Sequence, residues 1–234
     1  MKIAQISDLH LTPNKESAND IDVWANFEKV LTHVQTRNPD ILVVSGDICY
    51  DVGDENTYKE VKKQLDSTQI PYYVISGNHD DSLALGKVFG YPTENGKLNP
   101  YKITLDNTDI HFWDSWDGII EPSWIDNLDA TSLVFVHHPL VLGTCQFMDN
   151  KYALQNIEII TEKLRKTKNS HYFFHGHYHF EKSIHSSKHH FFITPSTFFQ
   201  LDDISSDFKI ASTQIGYRWI SFNNNMLLTN TVFI

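Results

Sequence analysis

The sequence predicts an α/β fold that contains two sheets, and three patterns indicate it. Apolar runs alternate with helical periods from residue 2 to residue 75, as in parallel strands joined by right-handed crossovers. A hairpin pattern in the middle of the chain marks the start of a second sheet, and another hairpin closes the chain. Three further strand-like runs separate the two hairpins, with a helix between the first two runs.

The first part of the chain alternates strands with helices. Residues 41–44 are continuously apolar and β-branched, which is typical of a strand buried on both faces. A helical stripe begins at Val23, and either Asn19 or Asp20 is expected to cap it. A second helix is marked by the apolar residues Tyr58, Val61 and Leu65. The predicted strands of this part are 2–6, 41–44 and 72–75.

The second part adds the hairpins and one more helix. Asp106-Asn107 and Asn223–Asn225 are the expected hairpin turns. The helix has an apolar stripe through Ile157, Ile160 and Leu164, and the cations near its end match its dipole. The predicted strands are 101–105, 110–113, 132–136, 172–174, 191–194, 217–222 and 226–232. No repeat or linker divides the chain, so a single domain is expected over residues 1–234.

Composition narrows the classes of partner. The 29 acidic and 19 basic side chains give a net charge of -10, so long nucleic acids are not expected as partners. Cys49 and Cys145 have no paired spacing, which favours free thiols in a reducing compartment. No signal peptide precedes the first strand and no apolar run reaches membrane-spanning length. We therefore expect a cytoplasmic protein without a membrane partner.

Residues of metal-ligand type recur at the ends of the apolar runs. They are Asp8, His10, Asp47, Asn78, His137, His177 and His179. In an open α/β sheet the loops from separate strands converge beyond the carboxyl ends of the strands, so we expect these side chains to meet. Their ordered recurrence predicts a site for two metal ions, of the kind that hydrolyses phosphoesters. Mixed His, Asn and Asp ligation suits manganese, iron or zinc.

Each predicted ligand is assigned to an ion. Asp47 is expected to bridge the two ions, because a carboxylate has two oxygens. The first ion is assigned to Asp8, His10 and His179, and the second to Asn78, His137 and His177. Asp8 and His10 are two residues apart, as are His177 and His179, so on extended segments the two side chains of each pair would leave on one face.

These blocks resemble those of the calcineurin-like metallophosphoesterases, which read Asp-x-His, Gly-Asp, Gly-Asn-His-Asp or Glu, His and Gly-His-x-His. Every block is present here in that order. The resemblance spans nearly the whole chain. It implies a four-layer α/β/β/α sandwich of two mixed sheets, the metallo-dependent phosphatase fold, with two metal ions at one edge of the paired sheets.

A finer likeness is to the bacterial cyclic-AMP phosphodiesterase branch, the class III cyclic nucleotide phosphodiesterases. The similar blocks are His137-His138-Pro139, Met148-Asp149, residues 194–200 and residues 216–219. The chain departs from this branch at Leu140, where a second proline is common. The likeness implies a 3',5'-cyclic nucleotide such as cyclic AMP as the substrate. It also makes a homodimer plausible, with the carboxyl-terminal hairpin as the interface, although a covered edge strand explains that hairpin equally well.

The expected mechanism is hydrolysis by a metal-bridging hydroxide that attacks phosphorus. His79 is the predicted general acid, which donates a proton to the leaving oxygen. The alternative is that His79 only hydrogen-bonds a ligand such as Asp8. The sequence leaves open the roles of His138, His175, Asp51 and Asp80.

Other aromatic and histidine residues are open to two interpretations each. Four aromatic residues either stack on a base or fill the core. They are Tyr152, Tyr178, Phe198 and Phe199. His185, His189 and His190 are interpreted as solvated loop histidines and not as a second metal site.

Two alternative functions share the same residues or the same fold. The first is hydrolysis of other small phosphoesters, either glycerophosphodiesters or phosphomonoesters, and the loops at about 83–100 and 143–156 are expected to distinguish it. The second is a domain that binds metal without catalysis.

Overall fold

The computed structural model describes residues 1–128, 130–186 and 188–234. Its strands, in chain order, are β1 (Lys2–Ile6), β2 (Ile41–Ser45), β3 (Tyr72–Ile75), β4 (Thr93–Glu94), β5 (Lys97–Leu98), β6 (Tyr101–Leu105), β7 (Thr108–Trp113), β8 (Leu133–Val136), β9 (Tyr172–His175), β10 (Lys182–Ser186), β11 (His189–Ile193), β12 (Gln200–Leu201), β13 (Ile210–Ser212), β14 (Gly216–Asn223) and β15 (Met226–Phe233). Its helices are α1 (Val23–Arg37), α2 (Glu55–Thr68), α3 (Ser82–Phe89), α4 (Ser123–Asp126), α5 (Gln146–Lys151) and α6 (Ile157–Lys166). In the described ranges, no helix has both the length and the apolar character needed to cross a membrane.

The two main sheets combine parallel and antiparallel neighbours. The first has the order β15-β14-β1-β2-β3. Its strands β1, β2 and β3 are parallel, which confirms the predicted parallel pairing, and β14 is antiparallel to β1. The second has the order β10-β11-β9-β8-β7-β6. Its inner strands are parallel, and the antiparallel strands β6 and β10 form its edges.

Both predicted hairpins form around turns in the left-handed conformation. Asp106 and Asn107 join β6 to β7 with φ angles of 49° and 59°. Asn224 and Asn225 join β14 to β15 with φ angles of 48° and 60°. Two-residue hairpin turns of type I′ need positive φ at both central residues, and Asn and Asp tolerate it.

The cap of α1 differs from the predicted one. Asp22 is the N-cap, and its side chain accepts a hydrogen bond of 2.9 Å from the N–H of Ala25. Asn19 and Asp20 have φ angles of 48° and 60°. They turn the chain before the helix begins, so neither is placed to satisfy the free N–H groups of its first turn.

The layers follow from the alternation of side chains along the strands. Ile3, Val43 and Phe135 face inwards and form one core between the two sheets. On the outer face of the first sheet, Ala4 packs in a core with α1 and α2. On the outer face of the second sheet, Val134 packs with α4 and α6. The four-layer α/β/β/α sandwich is therefore confirmed.

The second histidine cluster lies on strands and not in a loop. His185 on β10 stands opposite His190 on β11, with their Nδ1 atoms 2.7 Å apart. His189 is buried, and its Nε2 lies 2.9 Å from the carbonyl oxygen of Leu164. The placement in a loop is wrong for all three histidines, and solvation is wrong for His189 because the pleat of β11 turns it towards the core, whereas His185 is exposed.

Candidate metal centre

The predicted ligands lie just beyond the carboxyl ends of strands from both sheets. Asp8 and His10 follow β1, Asp47 follows β2, Asn78 follows β3, His137 follows β8, and His177 and His179 follow β9. Parallel strands end at the same edge of a sheet, and the sheets pack face to face. The loops of both sheets therefore meet at one end of the sandwich.

The chain turns sharply at these positions through left-handed conformations. The φ angles are 56° at Asp8, 48° at His10, 50° at Asp47, 70° at His177 and 52° at His179. Such angles are rare for residues other than glycine and cluster at functional sites. The prediction that the two paired motifs lie on extended segments is therefore wrong. Their side chains converge because the backbone turns back over the strand ends.

The first group of candidate ligands surrounds a common point. Asp8, His10, Asp47 and His179 are all buried, and one ligand atom from each lies within 4.8 Å of the others. The Nε2 atom of His179 is 3.0 Å from Nε2 of His10 and 3.4 Å from Oδ1 of Asp8. Nε2 of His10 is 3.7 Å from Oδ2 of Asp47. These four residues are the ones assigned to the first ion from the sequence.

The second group shares Asp47 with the first. Asp47, His137 and His177 are buried, with one ligand atom from each within 4.8 Å of the others. Nε2 of His137 is 3.2 Å from Oδ2 of Asp47, and its Nδ1 is 2.8 Å from the carbonyl oxygen of Ser45. Nε2 of His177 is 2.8 Å from the carbonyl oxygen of Tyr152. These carbonyls fix the orientation of both rings.

Burial and close contact set the charge state of this cluster. Burial raises the pKa of Asp8 to about 7, although His137 acts to lower it. Burial also lowers the pKa of His10 to about 4. Burial opposes the ionisation of Asp47, yet the adjacent His137 holds the pKa of Asp47 well below its usual range. Burial likewise opposes protonation of His137, but Asp47 raises the pKa of His137 to about 9.

A divalent cation fits this set of donors. The facing Nε2 atoms of His10 and His179 have at most one proton to share at 3.0 Å, and Nδ1 of His179 is buried without a hydrogen-bond partner among the described residues. Buried polar atoms normally have partners. A dication would stabilise the carboxylate anions and the neutral imidazoles together. Mixed carboxylate and imidazole donors are those that manganese, iron and zinc accept.

Asp80 connects the loop after β2 to the loop after β3. Its buried carboxylate accepts hydrogen bonds from the main-chain N–H groups of Ile48, Cys49 and Gly77 and from the hydroxyl of Tyr58. The sequence left the role of Asp80 open, and these contacts define one, whereas the neighbouring Asp81 caps α3. Asp80 therefore fixes the two loops that present Asp47 and Asn78. The Asp of the Gly-Asn-His-Asp block was the sequence signal for this residue.

Three further histidines surround the candidate ligands. The main-chain N–H of His79 donates to Oδ1 of Asp47 at 2.9 Å, and the partly exposed ring lies against His10, with ring centroids 4.9 Å apart. His138 is buried beside His177, and its Nδ1 is 2.9 Å from Oγ of Ser115. His175 is buried, with Nδ1 3.1 Å from the carbonyl oxygen of Val136.

A cavity of about 410 Å³ opens at this end of the sandwich. Half of the lining residues are polar, and these are candidate ligands together with Asn19, Asp51 and His79. The other half are aromatic or apolar. The polar lining is His10, Asn19, Asp47, Asp51, Asn78, His79, His177 and His179, and the remaining lining is Tyr50, Phe147, Met148, Tyr152, Phe198, Phe199, Leu201 and Phe208. Asn78 thus lies in the same cavity as the two ligand groups.

The predicted aromatic residues fall into two sets. Tyr152, Phe198 and Phe199 line the cavity. Tyr178 is fully buried, and its hydroxyl donates to Oδ1 of Asp149 at 2.8 Å, so it fills the core. The predicted loop 143–156 contributes lining residues.

The fold and this site define a class of protein, the metal-dependent hydrolases of phosphoesters. A sequence model of the calcineurin-like phosphoesterases matches residues 1–181, and the chain belongs to this family. It is 34% identical over 242 residues to a Fibrobacter succinogenes protein named "Probable cyclic nucleotide phosphodiesterase", covering 100% of this chain and 94% of the relative.

Two further similarities extend over nearly the whole chain. The Escherichia coli protein named 3',5'-cyclic adenosine monophosphate phosphodiesterase CpdA is 24% identical over 251 residues, which cover 99% of this chain and 89% of that protein. A dimetal phosphatase from Danio rerio has a similar crystal structure, with a TM-score of 0.67, 13% identity, and coverage of 100% of this chain and 98% of that one. The structural similarity confirms the metallo-dependent phosphatase fold.

Proposed function

We propose that this protein is a phosphodiesterase that uses two metal ions to hydrolyse small 3',5'-cyclic nucleotides such as cyclic AMP. The observation that carries this proposal is the position of Asp47, whose carboxylate belongs to both groups of clustered ligand atoms. A shared carboxylate between two donor sets is the arrangement that a bridged pair of ions requires. The names of the relatives support the choice of substrate.

The proposal keeps the division of ligands between the two ions that was expected from the sequence. Asp8, His10 and His179 would hold one ion, and Asn78, His137 and His177 the other, with Asp47 between them. Bound ions of this kind lower the pKa of water and neutralise charge on phosphoryl oxygens. The protein supplies the fixed geometry, because main-chain carbonyls and the Asp80 contacts hold the ligands before substrate arrives.

His79 is proposed as the proton donor to the leaving oxygen. Its ring lines the cavity next to the first ligand group. In the alternative role His79 only hydrogen-bonds a ligand such as Asp8, but among the described residues Nδ1 of His79 is buried without a hydrogen-bond partner. The main-chain N–H of His79 donates to Asp47, which holds its side chain close to the bridging carboxylate. General acid catalysis of this kind contributes roughly 10²–10⁴-fold in rate.

A substrate panel tests the proposal. The manganese-loaded protein would be assayed with cyclic AMP, cyclic GMP, bis-p-nitrophenyl phosphate, glycerophosphocholine and p-nitrophenyl phosphate. We expect cyclic nucleotides to be opened to monophosphates, and EDTA to stop the reaction. Preference for glycerophosphocholine or for p-nitrophenyl phosphate would establish one of the other small phosphoesters as the substrate class. A domain without catalysis would hydrolyse none of the five.

A further inference from the structure

Four aromatic rings in the cavity lining contact one another in sequence. We call Phe147, Tyr152, Phe199 and Phe208 the aromatic slot. Ring centroids are 5.4 Å apart for Phe147 and Tyr152, and 5.9 Å apart for both Phe147–Phe208 and Phe199–Phe208. Phe199 also lies 4.9 Å from the ring of His179. The slot therefore begins directly beside a candidate metal ligand.

The outer rings of the slot are exposed, whereas the inner rings are not. Tyr152 and Phe208 are 47% and 55% exposed, and Phe147 and Phe199 are 8% and 6% exposed. Both outer rings contact the ring of Phe147, and exposed aromatic rings at the mouth of a cavity are a common mark of a binding surface. A planar apolar ligand would cover an outer ring on which it stacks, and aromatic pairs favour stacked or edge-to-face contact at these separations.

The slot is held at a fixed distance from the candidate metal centre. The carbonyl oxygen of Tyr152 lies 2.8 Å from Nε2 of His177, so the segment that carries Tyr152 and Phe147 is joined to a candidate ligand. The N–H of Phe147 donates to the carbonyl oxygen of Ser205 at 3.3 Å, which ties this segment to the one that carries Phe208. The distance between the candidate metal centre and the slot is therefore fixed before a ligand with a phosphate at one end and a ring at the other binds.

We propose that the aromatic slot binds the base of the nucleotide, and that it does so by stacking with little discrimination between bases. This inference rests on the proposed function, and it makes the substrate class nucleotides and not glycerophosphodiesters. The slot has one side-chain group able to hydrogen-bond, the hydroxyl of Tyr152. Stacking tolerates every base, because each has a π face. Adenine and guanine nucleotides should therefore bind about equally.

Calorimetric titration of the manganese-loaded protein with AMP, GMP and ribose 5-phosphate tests the slot. These ligands share a phosphorylated ribose, and ribose 5-phosphate lacks a base. We expect AMP to bind roughly tenfold or more tightly than ribose 5-phosphate, and AMP and GMP to differ by less than about threefold, since stacking supplies the difference.

Substitutions of the exposed slot residues distinguish a loss of stacking from a general loss of stability. Phe208→Ala and Tyr152→Ala should each weaken AMP roughly tenfold and leave ribose 5-phosphate unchanged. Tyr152→Ala keeps the carbonyl that contacts His177. Phe208→Trp should retain AMP binding because it restores a ring. Phe233→Ala is the matched control, since Phe233 on β15 is also an exposed ring and should leave both affinities unchanged.

Two results would refute the proposal that the aromatic slot binds the base. Equal affinity for AMP and ribose 5-phosphate in the wild-type protein is one, and an equal loss of both ligands in Phe208→Ala is the other. These titrations measure binding without turnover. The proposal that the slot binds a base and the proposed phosphodiesterase function can therefore be refuted independently. A protein that prefers AMP but hydrolyses no phosphoester would refute the proposed function alone, and one that hydrolyses diesters without preferring AMP would refute the slot alone.

Discussion

Gly176→Ala tests how closely the backbone after β9 must approach Asp8. A Cβ added at Gly176 would lie 1.9 Å from Oγ of Ser7 and 2.7 Å from Oδ2 of Asp8. Ordinary contacts lie at 3.4–4 Å. Ser7 is fully buried, so its hydroxyl has little room to retreat, and either Asp8 or the segment that carries His177 must move.

Gly176→Ala is expected to lower both the stability of the protein and the activity of the site. Overpacking of a buried site costs about 1–3 kcal/mol, which at this chain length lowers Tm by roughly 2–12 °C. Displacement of a reacting group by about 1 Å costs on the order of 10²-fold in rate. Thermal unfolding in EDTA measures the loss of stability. Manganese affinity and kcat on bis-p-nitrophenyl phosphate measure the loss of activity.

Gly96→Ala is the matched control. Gly96 has φ of 85°, and an added Cβ meets nothing within 4 Å. The left-handed backbone makes this substitution cost about 1–2 kcal/mol, and Gly96 belongs to neither ligand group and does not line the cavity. We expect it to lower Tm while manganese affinity and kcat stay unchanged. If Gly176→Ala bound manganese and turned over substrate like Gly96→Ala, the close approach at Asp8 would have no functional role.

Three further substitutions test separate parts of the site. His79→Ala should lower kcat roughly 10²–10⁴-fold with manganese content unchanged by atomic emission, and an unaltered kcat would reject the proton-donor role. Asp80→Ala leaves three main-chain N–H groups and the hydroxyl of Tyr58 without their acceptor, so urea unfolding of the metal-free protein should show a loss of about 3–5 kcal/mol. Tyr58→Phe removes one of those contacts and also the acceptor for the main-chain N–H of Asp81, so it should cost about 2 kcal/mol. Equal losses for the two variants would contradict the shared-acceptor explanation.

Most strands of the two main sheets were predictable because their signals are local, whereas β10 and the short strands β4, β5, β12 and β13 were not predicted. The run 41–44 is apolar throughout, and β2 is indeed buried at every residue. Asp106 and Asn107 tolerate positive φ, and they form the predicted turn. Parallel strands end at one edge of a sheet, so the order of the motif blocks was enough to predict that their side chains would gather there.

Other features depend on contacts that no local pattern encodes. The directions in which the side chains of Asp8 and His10 point are set by turns beyond β1 and not by the alternation of side chains along a strand. Phe208 joins the cavity through a segment that bonds Phe147 some sixty residues earlier in the chain. His189 has a polar side chain on a strand, so its burial was not visible in the hydropathy pattern. The homodimer and the cytoplasmic location stay predictions.

Manganese stoichiometry tests the central claim, that Asp47 is shared by two ions. The protein would be stripped with EDTA and titrated with manganese, with bound metal measured by electron paramagnetic resonance. We predict two ions per chain with a spin-coupled signal, and loss of the coupling in Asp47→Ala. Binding of a single ion by the wild-type protein, or two ions without coupling, would contradict the account.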